Sequence, residues 1–308
     1  MNTALIITIL MTVAAAATPI LIAALGELVA EKSGVLNLGV EGMMLIGAVT
    51  AFAVAVTTGS PALGCLAAMV AAAAASLIFA LLTLSLSANQ VATGLALTIF
   101  GTGVSALAGA PFVGITTPSL GLLFPESLTG DPWLRLVFGH SPLVYIALML
   151  TFAVWWFLAR SRAGLILRAI GESDSAAHSI GYPVLKVRYL AVLFGGAMAG
   201  LGGSYYSLVL TPMWAERLTA GRGWIAIALV VFASWRPGRL ALGAYLFGAV
   251  ITLELQAKAA GFNLFAPEFL ASLPYLATIV VLAVISAGRT KGSTSAPACL
   301  GKSFRASA

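Results

Sequence analysis

Apolar stretches separated by short polar connectors run along almost the whole chain. A helix needs about 20 apolar residues to cross the hydrocarbon core of a bilayer. The pattern predicts nine such segments, and they are residues 5–25, 34–56, 62–84, 91–113, 142–159, 189–210, 224–235, 240–256 and 270–287. It therefore predicts an all-α, polytopic membrane protein with a single transmembrane domain over residues 1–288.

Segment 224–235 is the exception in this pattern, because it is too short to span a bilayer as a helix. Nine crossings are the first interpretation. The alternative is eight crossings plus a re-entrant piece, since broken helices occur at membrane depth where protein covers them.

The composition excludes several classes of protein. The chain is 60% hydrophobic and 8% charged, whereas an ordinary soluble domain is roughly a quarter charged. No charged residue occurs between Glu41 and Glu126. A soluble enzyme and a nucleic-acid-binding protein are excluded despite the net charge of +6, and membrane lipid is the expected surrounding.

The basic residues predict the sidedness of the segments. With nine crossings, most of the sixteen Lys and Arg residues fall on the face that carries the C-terminus. Basic connectors stay in the cytoplasm, so the C-terminus is predicted to be cytoplasmic and the N-terminus external. Connector 160–188 is then cytoplasmic and loop 114–141 is external. The small, polar and basic tail, residues 289–308, is predicted to be disordered.

Nothing in the sequence favours a cofactor, a metal or catalysis. His140 and His178 are isolated, and no Cys, His or carboxylate cluster has metal-ligand spacing. Residues 296–303 approach the phosphate-binding pattern G-x-x-x-x-G-K-S, but Ala296 replaces its first glycine and no strand precedes it. We therefore expect no cofactor and no enzymatic activity.

The polar connector contains a candidate partner-binding helix. Residues 168–182 read R-A-I-G-E-S-D-S-A-A-H-S-I-G-Y. Ser173 or Asp174 can cap a short helix there, and Gly181 can end it. The small apolar stripe of this helix consists of Ala176, Ala177 and Ile180. Such a stripe fits closely into a groove on a partner, and the alternative is an ordinary amphipathic surface loop.

A carboxylate stands out in the second apolar segment, where residues 33–47 read S-G-V-L-N-L-G-V-E-G-M-M-L-I-G. Glu41 lies in a helix that otherwise suits lipid, and a charged carboxylate near the membrane centre costs about 2.5–3.5 kcal/mol. Asn37 lies one turn earlier on the same face. The two side chains line or gate a polar path in one interpretation. In the other they hold a neighbouring helix by hydrogen bonds.

Other polar and aromatic groups within the apolar segments are candidates for the lining of a solute path. The candidates are Asn89, Gln90, Thr93, Tyr205 and Tyr206. The tyrosines combine ring faces with hydroxyl groups, which suits a ring-bearing or sugar-like solute. The equally open alternative places them in an aromatic belt at the membrane surface.

The sixth apolar segment is rich in glycine. Gly196 and Gly200 are four residues apart, as are Ala199 and Gly203. Small residues at this spacing let helices approach closely. The spacing predicts tight packing of this segment against its neighbours.

Two of these stretches carry a family resemblance. Residues 26–48, G-E-L-V-A-E-K-S-G-V-L-N-L-G-V-E-G-M-M-L-I-G-A, resemble the N-terminal signature of the permease subunits of bacterial ABC importers for simple sugars and nucleosides. Residues 88–103, A-N-Q-V-A-T-G-L-A-L-T-I-F-G-T-G, are similar to the nucleoside-type branch. The resemblance covers roughly residues 25–287. The W-R-P-G-R stretch at 235–239 differs from the more usual glycine-rich connector.

The resemblance implies a permease of the bacterial cytoplasmic membrane with a fold similar to vitamin B12-type importers. Such a subunit pairs with a second permease, two cytoplasmic ATPase subunits and an external solute-binding protein, and moves a nucleoside or a simple sugar inward. The residues that the resemblance assigns to ATPase coupling are Arg168, Gly171, Asp174, Ala176, Ala177, Ile180 and Gly181. The rival hypothesis is an ion-coupled secondary transporter, for which Glu41 and Glu254 are the available carboxylates.

Overall fold

The computed structural model describes residues 3–125, 129–259, 276 and 296–304, and the described part is helical throughout apart from connecting loops. Eleven α-helices follow one another along it. They are α1 Thr3–Lys32, α2 Val40–Thr58, α3 Pro61–Ala80, α4 Gln90–Gly109, α5 Pro132–Phe138, α6 Pro142–Arg160, α7 Arg162–Glu172, α8 Asp174–Ser179, α9 Val184–Tyr205, α10 Arg222–Phe232 and α11 Pro237–Ala259. Two π-helical turns, Leu81–Ser85 and Tyr206–Leu210, extend α3 and α9.

Seven of the described helices are long and apolar enough to cross a membrane, and they are α1, α2, α3, α4, α6, α9 and α11. Each corresponds to one of the predicted segments. Segment 224–235 forms the short helix α10. Segment 270–287 lies outside the described residues. The chain is therefore a polytopic helical membrane protein, as its pattern predicts.

Helix α9 lies at the centre of the bundle and packs against α1, α2 and α3. A Cβ atom added to Gly203 would lie 2.0 Å from the backbone oxygen of Met44 in α2. A Cβ on Gly200 would lie 2.3 Å from the oxygen of Ala68 in α3. The close helix packing predicted from the glycine spacing is confirmed at both positions.

Two helices begin inside the bundle rather than at its ends. A Cβ on Gly42 would lie 2.5 Å from the backbone oxygen of Leu97, so α2 begins beside the middle of α4. A Cβ on Gly223 would lie 2.5 Å from the Cα atom of Glu41, so α10 begins against the first turn of α2. Helix α10 then runs toward the end of the bundle where α1 finishes at Lys32, called here the Lys32 end.

Part of the tail is ordered at the same end. Residues 296–304 form a turn in which Pro297 and Cys299 are buried. The Cys299 amide donates to the Gly171 oxygen over 2.9 Å, and the Gly301 amide donates to the Gly34 oxygen over 3.1 Å. Within the tail predicted to be disordered, residues 296–304 adopt this turn, in which Pro297 and Cys299 are buried and two backbone amides pair with the bundle.

Candidate functional site

The predicted partner-binding helix is present as α8, joined directly to α7. The Ser173 hydroxyl accepts a hydrogen bond from the Ala176 amide over 3.3 Å, so Ser173 rather than Asp174 is the cap. Gly181, with φ of +90°, ends the turn in a left-handed conformation that glycine adopts without strain. Helices α7 and α8 together are called the coupling segment below, after the role predicted for them from the sequence.

The predicted apolar stripe is divided between two faces. Ile180 is 72% exposed and Ala176 is also exposed, whereas Ala177 is 3% exposed and packs with Ile170 and Val184. Consecutive helical residues lie about 100° apart, so two neighbouring alanines do not face the same partner. Ala177 thus holds α8 against the protein, and Ala176 and Ile180 are presented outward.

The other predicted coupling residues also divide. Gly181 is exposed beside Ile180. Gly171 is buried, and a Cβ there would lie 2.2 Å from the Lys32 oxygen, so it serves the packing of α7 against α1. Arg168 lines a groove beside the start of α11 rather than the α8 surface.

A buried ion pair connects the coupling segment to the bundle. The Arg188 Nη2 atom lies 3.1 Å from Asp174 Oδ2, and the Arg188 side chain is fully buried. The Arg188 Nε group donates to the Ser33 oxygen over 3.1 Å, in the turn between α1 and α2. Sequence reasoning counted Arg188 only as a connector charge. Its position directly at the start of an apolar segment is the signal that was available.

The ordered tail covers the same junction. The Cys299 thiol lies 3.5 Å from the Glu172 oxygen, and the Phe304 ring meets the His178 ring edge-to-face with centroids 5.5 Å apart. The Gln90 Nε2 group donates to the Lys302 oxygen over 3.5 Å. Residues 296–304 therefore contact α7, α8 and α4 at once, which the sequence did not predict.

Glu41 lies at the meeting point of α2 and α10. Its Oε1 atom accepts from the Thr219 hydroxyl over 2.5 Å and from the Gly221 amide over 2.9 Å. Its Oε2 atom accepts from the Gly223 amide over 2.6 Å. A carboxylate at a helix N-terminus is stabilised by the unpaired amides and by the helix dipole. These contacts support the structural interpretation of Glu41 rather than a gate.

Asn37 and Glu27 organise the turn that leads into α2. The backbone N–H of Asn37 donates to Glu27 Oε1 over 3.0 Å, and the side-chain Oδ1 of Asn37 accepts from the backbone N–H of Gly39 over 2.9 Å. Both residues are 1% exposed. Asn37 therefore holds the backbone of this turn, as expected for the structural interpretation of this residue. Glu27 lies within the signature at residues 26–48, and the residue pattern alone assigned it no role.

The polar residues around the start of α4 serve mainly the backbone. Asn89 Oδ1 caps α4 by accepting from the Ala92 amide over 3.0 Å. Gln90, 3% exposed, accepts from the Leu36 amide over 2.8 Å. Thr93 lines an apolar cavity of about 440 Å³ with Phe79. Of the three, Thr93 borders this cavity, Asn89 is exposed at the surface and Gln90 is buried.

The two tyrosines also differ. Tyr205 borders a cavity of about 560 Å³ together with Thr12, His140 and Ser141. Both side chains are buried, Tyr205 at 1% and Tyr206 at 3% exposed, and the Arg222 guanidinium carbon lies 5.1 Å from the Tyr206 ring centroid. Of the pair, Tyr205 alone borders this cavity. A cavity of this size accommodates a small polar solute.

The described residues thus form a polytopic helical membrane protein with two helices that begin inside the bundle and a short, partly exposed helix at the Lys32 end. The model of a permease family, described as branched-chain amino acid transport system / permease component, matches residues 9–287. The chain belongs to this family.

Individual relatives resemble the chain over most of its length. A putative glucose ABC transporter permease protein of Haloferax volcanii, TsgC13, is 41% identical over 87% of this chain and 88% of its own. A guanosine ABC transporter permease protein of Bacillus subtilis, NupQ, is 32% identical over 86% and 88%. A nucleoside ABC transporter permease protein of Lactococcus lactis, NupC, is 28% identical over 87% and 88%.

Two of these organisms have a second permease that matches the chain. TsgB13 of Haloferax volcanii, a glucose ABC transporter permease protein, is 28% identical over 76% of this chain and 66% of its own. NupP of Bacillus subtilis, a guanosine ABC transporter permease protein, is 26% identical over 76% and 70%. Matching permeases thus occur in pairs in these organisms.

Proposed function

We propose that this chain is the permease subunit of an ABC importer that moves a simple sugar or a nucleoside into the cell. The observation that carries the proposal is the family match over residues 9–287 together with relatives named as sugar and nucleoside permeases. The energy comes from ATP hydrolysed on a partner subunit. The chain itself supplies the path and the contact with that partner.

The relatives' names divide between the two substrate classes. The relative at 41% identity is named for glucose, and those at 32% and 28% are named for guanosine and nucleosides. Both classes carry a ring and several hydroxyl groups, which suits the cavity beside Tyr205 and His140. Uptake of radiolabelled glucose and guanosine into cells expressing the complete transporter separates them. Uptake of the transported solute must fall when its unlabelled form is added in excess. It must also be absent from cells that lack this chain.

The topology that we propose has nine crossings and resembles vitamin B12-type permeases. Seven long helices, α10 and the predicted segment 270–287 make up the nine. Helix α10 completes a crossing together with residues 211–221, because α9 ends at the opposite end of the bundle while Trp235 lies beside Glu31 at the Lys32 end. The positive-inside rule places the Lys32 end and the C-terminus in the cytoplasm.

The partners follow from the same assignment. We infer cytoplasmic ATPase subunits at the Lys32 end and a solute-binding protein on the opposite face, with bacterial cytoplasmic membrane as the location. Because matching permeases occur in pairs in two organisms, the second permease is a different homologous chain, giving a heterodimer.

The ATPase contact in this proposal is the outward face of α8, which consists of Ala176, Ile180 and Gly181. Movement of α8 reaches the bundle through Asp174 and Arg188, since Arg188 also holds the Ser33 turn between α1 and α2. The ATPase thereby acts on the start of α2, whose first turn also anchors α10. Alternating access then involves the helices that begin inside the bundle.

The two carboxylates that an ion-coupled mechanism would need both have other partners in this structure. Glu41 accepts three hydrogen bonds from the α10 terminus, and Glu254 pairs with Lys258 over 2.7 Å. The decisive experiment is uptake into proteoliposomes that contain the complete transporter. ATP supplied on the side of the membrane that carries the ATPase subunits must drive transport without an ion gradient. Uptake driven by a proton or sodium gradient in the absence of ATP would refute the proposal.

A further inference from the structure

A groove of about 720 Å³ opens at the Lys32 end, between the last turns of α1 and α6, helix α7, and the turn before α11. Its lining has four basic side chains and one carboxylate. The basic residues are Lys32, Arg168, Arg236 and Arg239, and the carboxylate is Glu172. The groove therefore has an excess of positive charge.

The W-R-P-G-R turn builds one wall of this groove. Ser234 and Trp235 both adopt left-handed conformations, with φ of 51° and 55°. The Trp235 indole is 6% exposed and donates to Glu31 Oε2 over 2.5 Å, which pins the turn to α1. Arg236 and Arg239 follow immediately and are exposed. The turn thus places two guanidinium groups at the groove at a fixed position.

The positive charge of this groove is only partly compensated within the described part of the chain, by Glu172. Arg168, Arg236 and Arg239 form no ion pair there, and the Arg168 Nε group is buried without a hydrogen-bond partner. Arg236 and Arg239 also flank the N-terminus of α11, where the helix dipole is positive and disfavours cations. A bound anion would offset all of these unfavourable terms at once.

The rim of the groove distinguishes between kinds of anion. Trp155 on α6 is 44% exposed and Leu242 on α11 is 74% exposed, and both line the groove. These two helices are long enough to span the membrane, so their exposed apolar side chains suit contact with lipid tails. Basic groups and an exposed Trp at the end of a spanning helix are typical of the headgroup level. A phosphate with acyl chains matches both parts of the groove.

We propose that this groove binds the headgroup of an anionic phospholipid, with Arg236 and Arg239 on the phosphate and Trp155 and Leu242 beside the acyl chains. The site rests on the proposed function only for the membrane orientation. It involves no step of transport. Its occupancy would fix the α10–α11 turn, and through Trp235 the end of α1.

The test is lipid retention by the complete purified transporter, measured by native mass spectrometry in detergent. Phosphatidylglycerol and phosphatidylcholine are added separately, and inorganic phosphate is a third probe. The test variant is R236Q/R239Q. Its matched control is R162Q/K186Q, which removes two exposed charges of the Lys32 end outside the groove. The variant L242S tests the acyl contact without changing charge.

We expect wild type and the control to retain phosphatidylglycerol in preference to phosphatidylcholine. R236Q/R239Q should lower the affinity for phosphatidylglycerol by roughly 10- to 30-fold, from the contribution of each basic residue near an anionic surface. L242S should weaken lipid retention and leave the response to phosphate unchanged.

Three results would overturn the proposal. Equal retention of both lipids would mean that no anionic site exists. Equal losses in R236Q/R239Q and the control would reduce the effect to general surface charge. Phosphate that displaces bound phosphatidylglycerol at equal concentration would assign the groove to a free anion. None of these results bears on ATP-driven uptake, so the proposed function is tested separately.

Discussion

Two carboxylates of this chain, Glu41 and Asp174, are held in opposite ways. Glu41 accepts hydrogen bonds from a hydroxyl and two amides at the α10 terminus and is enclosed by the bundle. Asp174 opens a six-residue surface helix and contacts the bundle through Arg188. The first carboxylate joins two helices at a point that excludes water. The second joins a projecting helix to the bundle through one ion pair.

In the proposed mechanism, Glu41 is therefore a fixed point between two helices, whereas Asp174 belongs to a helix that moves relative to the bundle. The two backbone amides and the hydroxyl that donate to Glu41 would lose their partner together if α10 shifted, and buried unpaired donors cost free energy. In the proposed mechanism, the surface helix α8, which has few contacts of its own, shifts with a partner, and Arg188 transmits the movement. We therefore expect changes at Glu41 to affect stability and changes at Asp174 to affect coupling.

The largest effect is expected from Glu41→Ala. The change leaves the Thr219 hydroxyl and the Gly221 and Gly223 amides without their acceptor, at about 1–3 kcal/mol for each unsatisfied buried group. Thermal unfolding of the purified protein in detergent should show a strong loss of stability. Glu254→Ala is the control, since it removes a partly exposed pair with Lys258 that contributes at most about 1 kcal/mol. Similar losses in both variants would contradict the special role of Glu41.

A steric change at the same point should have the next largest effect. In Gly223→Ala the new Cβ would lie 2.5 Å from the Glu41 Cα atom, so α10 must move away from α2. We expect a destabilisation of about 1–3 kcal/mol. Gly103→Ala in α4 is the matched control, because a Cβ there meets nothing within 4 Å. The two melting temperatures should differ clearly, and equal values would show that the α2–α10 contact is loose.

Asp174→Asn tests the movable side of the comparison. The change keeps the shape of the side chain and leaves the buried Arg188 charge without its counter-charge. We expect a severalfold loss of solute-stimulated ATP hydrolysis in the assembled transporter, with little change in the helical content of the permease. A variant that folds poorly but retains full stimulation per folded molecule would place Asp174 with Glu41 as a purely structural group.

Removal of the ordered tail should have the smallest effect of the series. A chain that ends after residue 295 loses the backbone hydrogen bonds to Gly171 and Gly34 and the ring contact with His178. We expect the stimulation of ATP hydrolysis to fall about two- to threefold, since a few hydrogen bonds of about 1 kcal/mol each position the coupling segment. A chain that ends after residue 304 is the control and should behave as the full chain.

The spanning helices were predictable because the hydrocarbon core of the membrane requires a long apolar stretch for each crossing. Each long apolar segment within the described residues became a helix, and the glycines of α9 became contacts with α2 and α3. Both features depend only on local residue type and spacing. The same local reasoning could not tell that α2 and α10 begin inside the bundle, because this depends on which backbone amides meet Glu41.

The candidate site was predictable in place and less so in detail. The position of α8 and its exposed Ile180 agree with the sequence analysis, since caps and glycine stops act locally. Ala177 is buried because it lies about 100° around the helix from the exposed Ala176, so the two alanines of the predicted stripe belong to different faces. The roles of Arg188 and of residues 296–304 required contacts between distant parts of the chain, which hydrophobic pattern does not encode.

The central claim is that the outward face of α8 binds the ATPase, and Ile180→Glu tests it most directly. Ile180 is 72% exposed, so the change should leave the fold intact. The control Thr57→Glu places the same charge on an exposed position at the opposite end of the bundle. The measurement is the amount of ATPase that co-purifies with each permease variant. The account predicts a loss of ATPase for Ile180→Glu and full recovery for Thr57→Glu. Full recovery of ATPase with Ile180→Glu would contradict it.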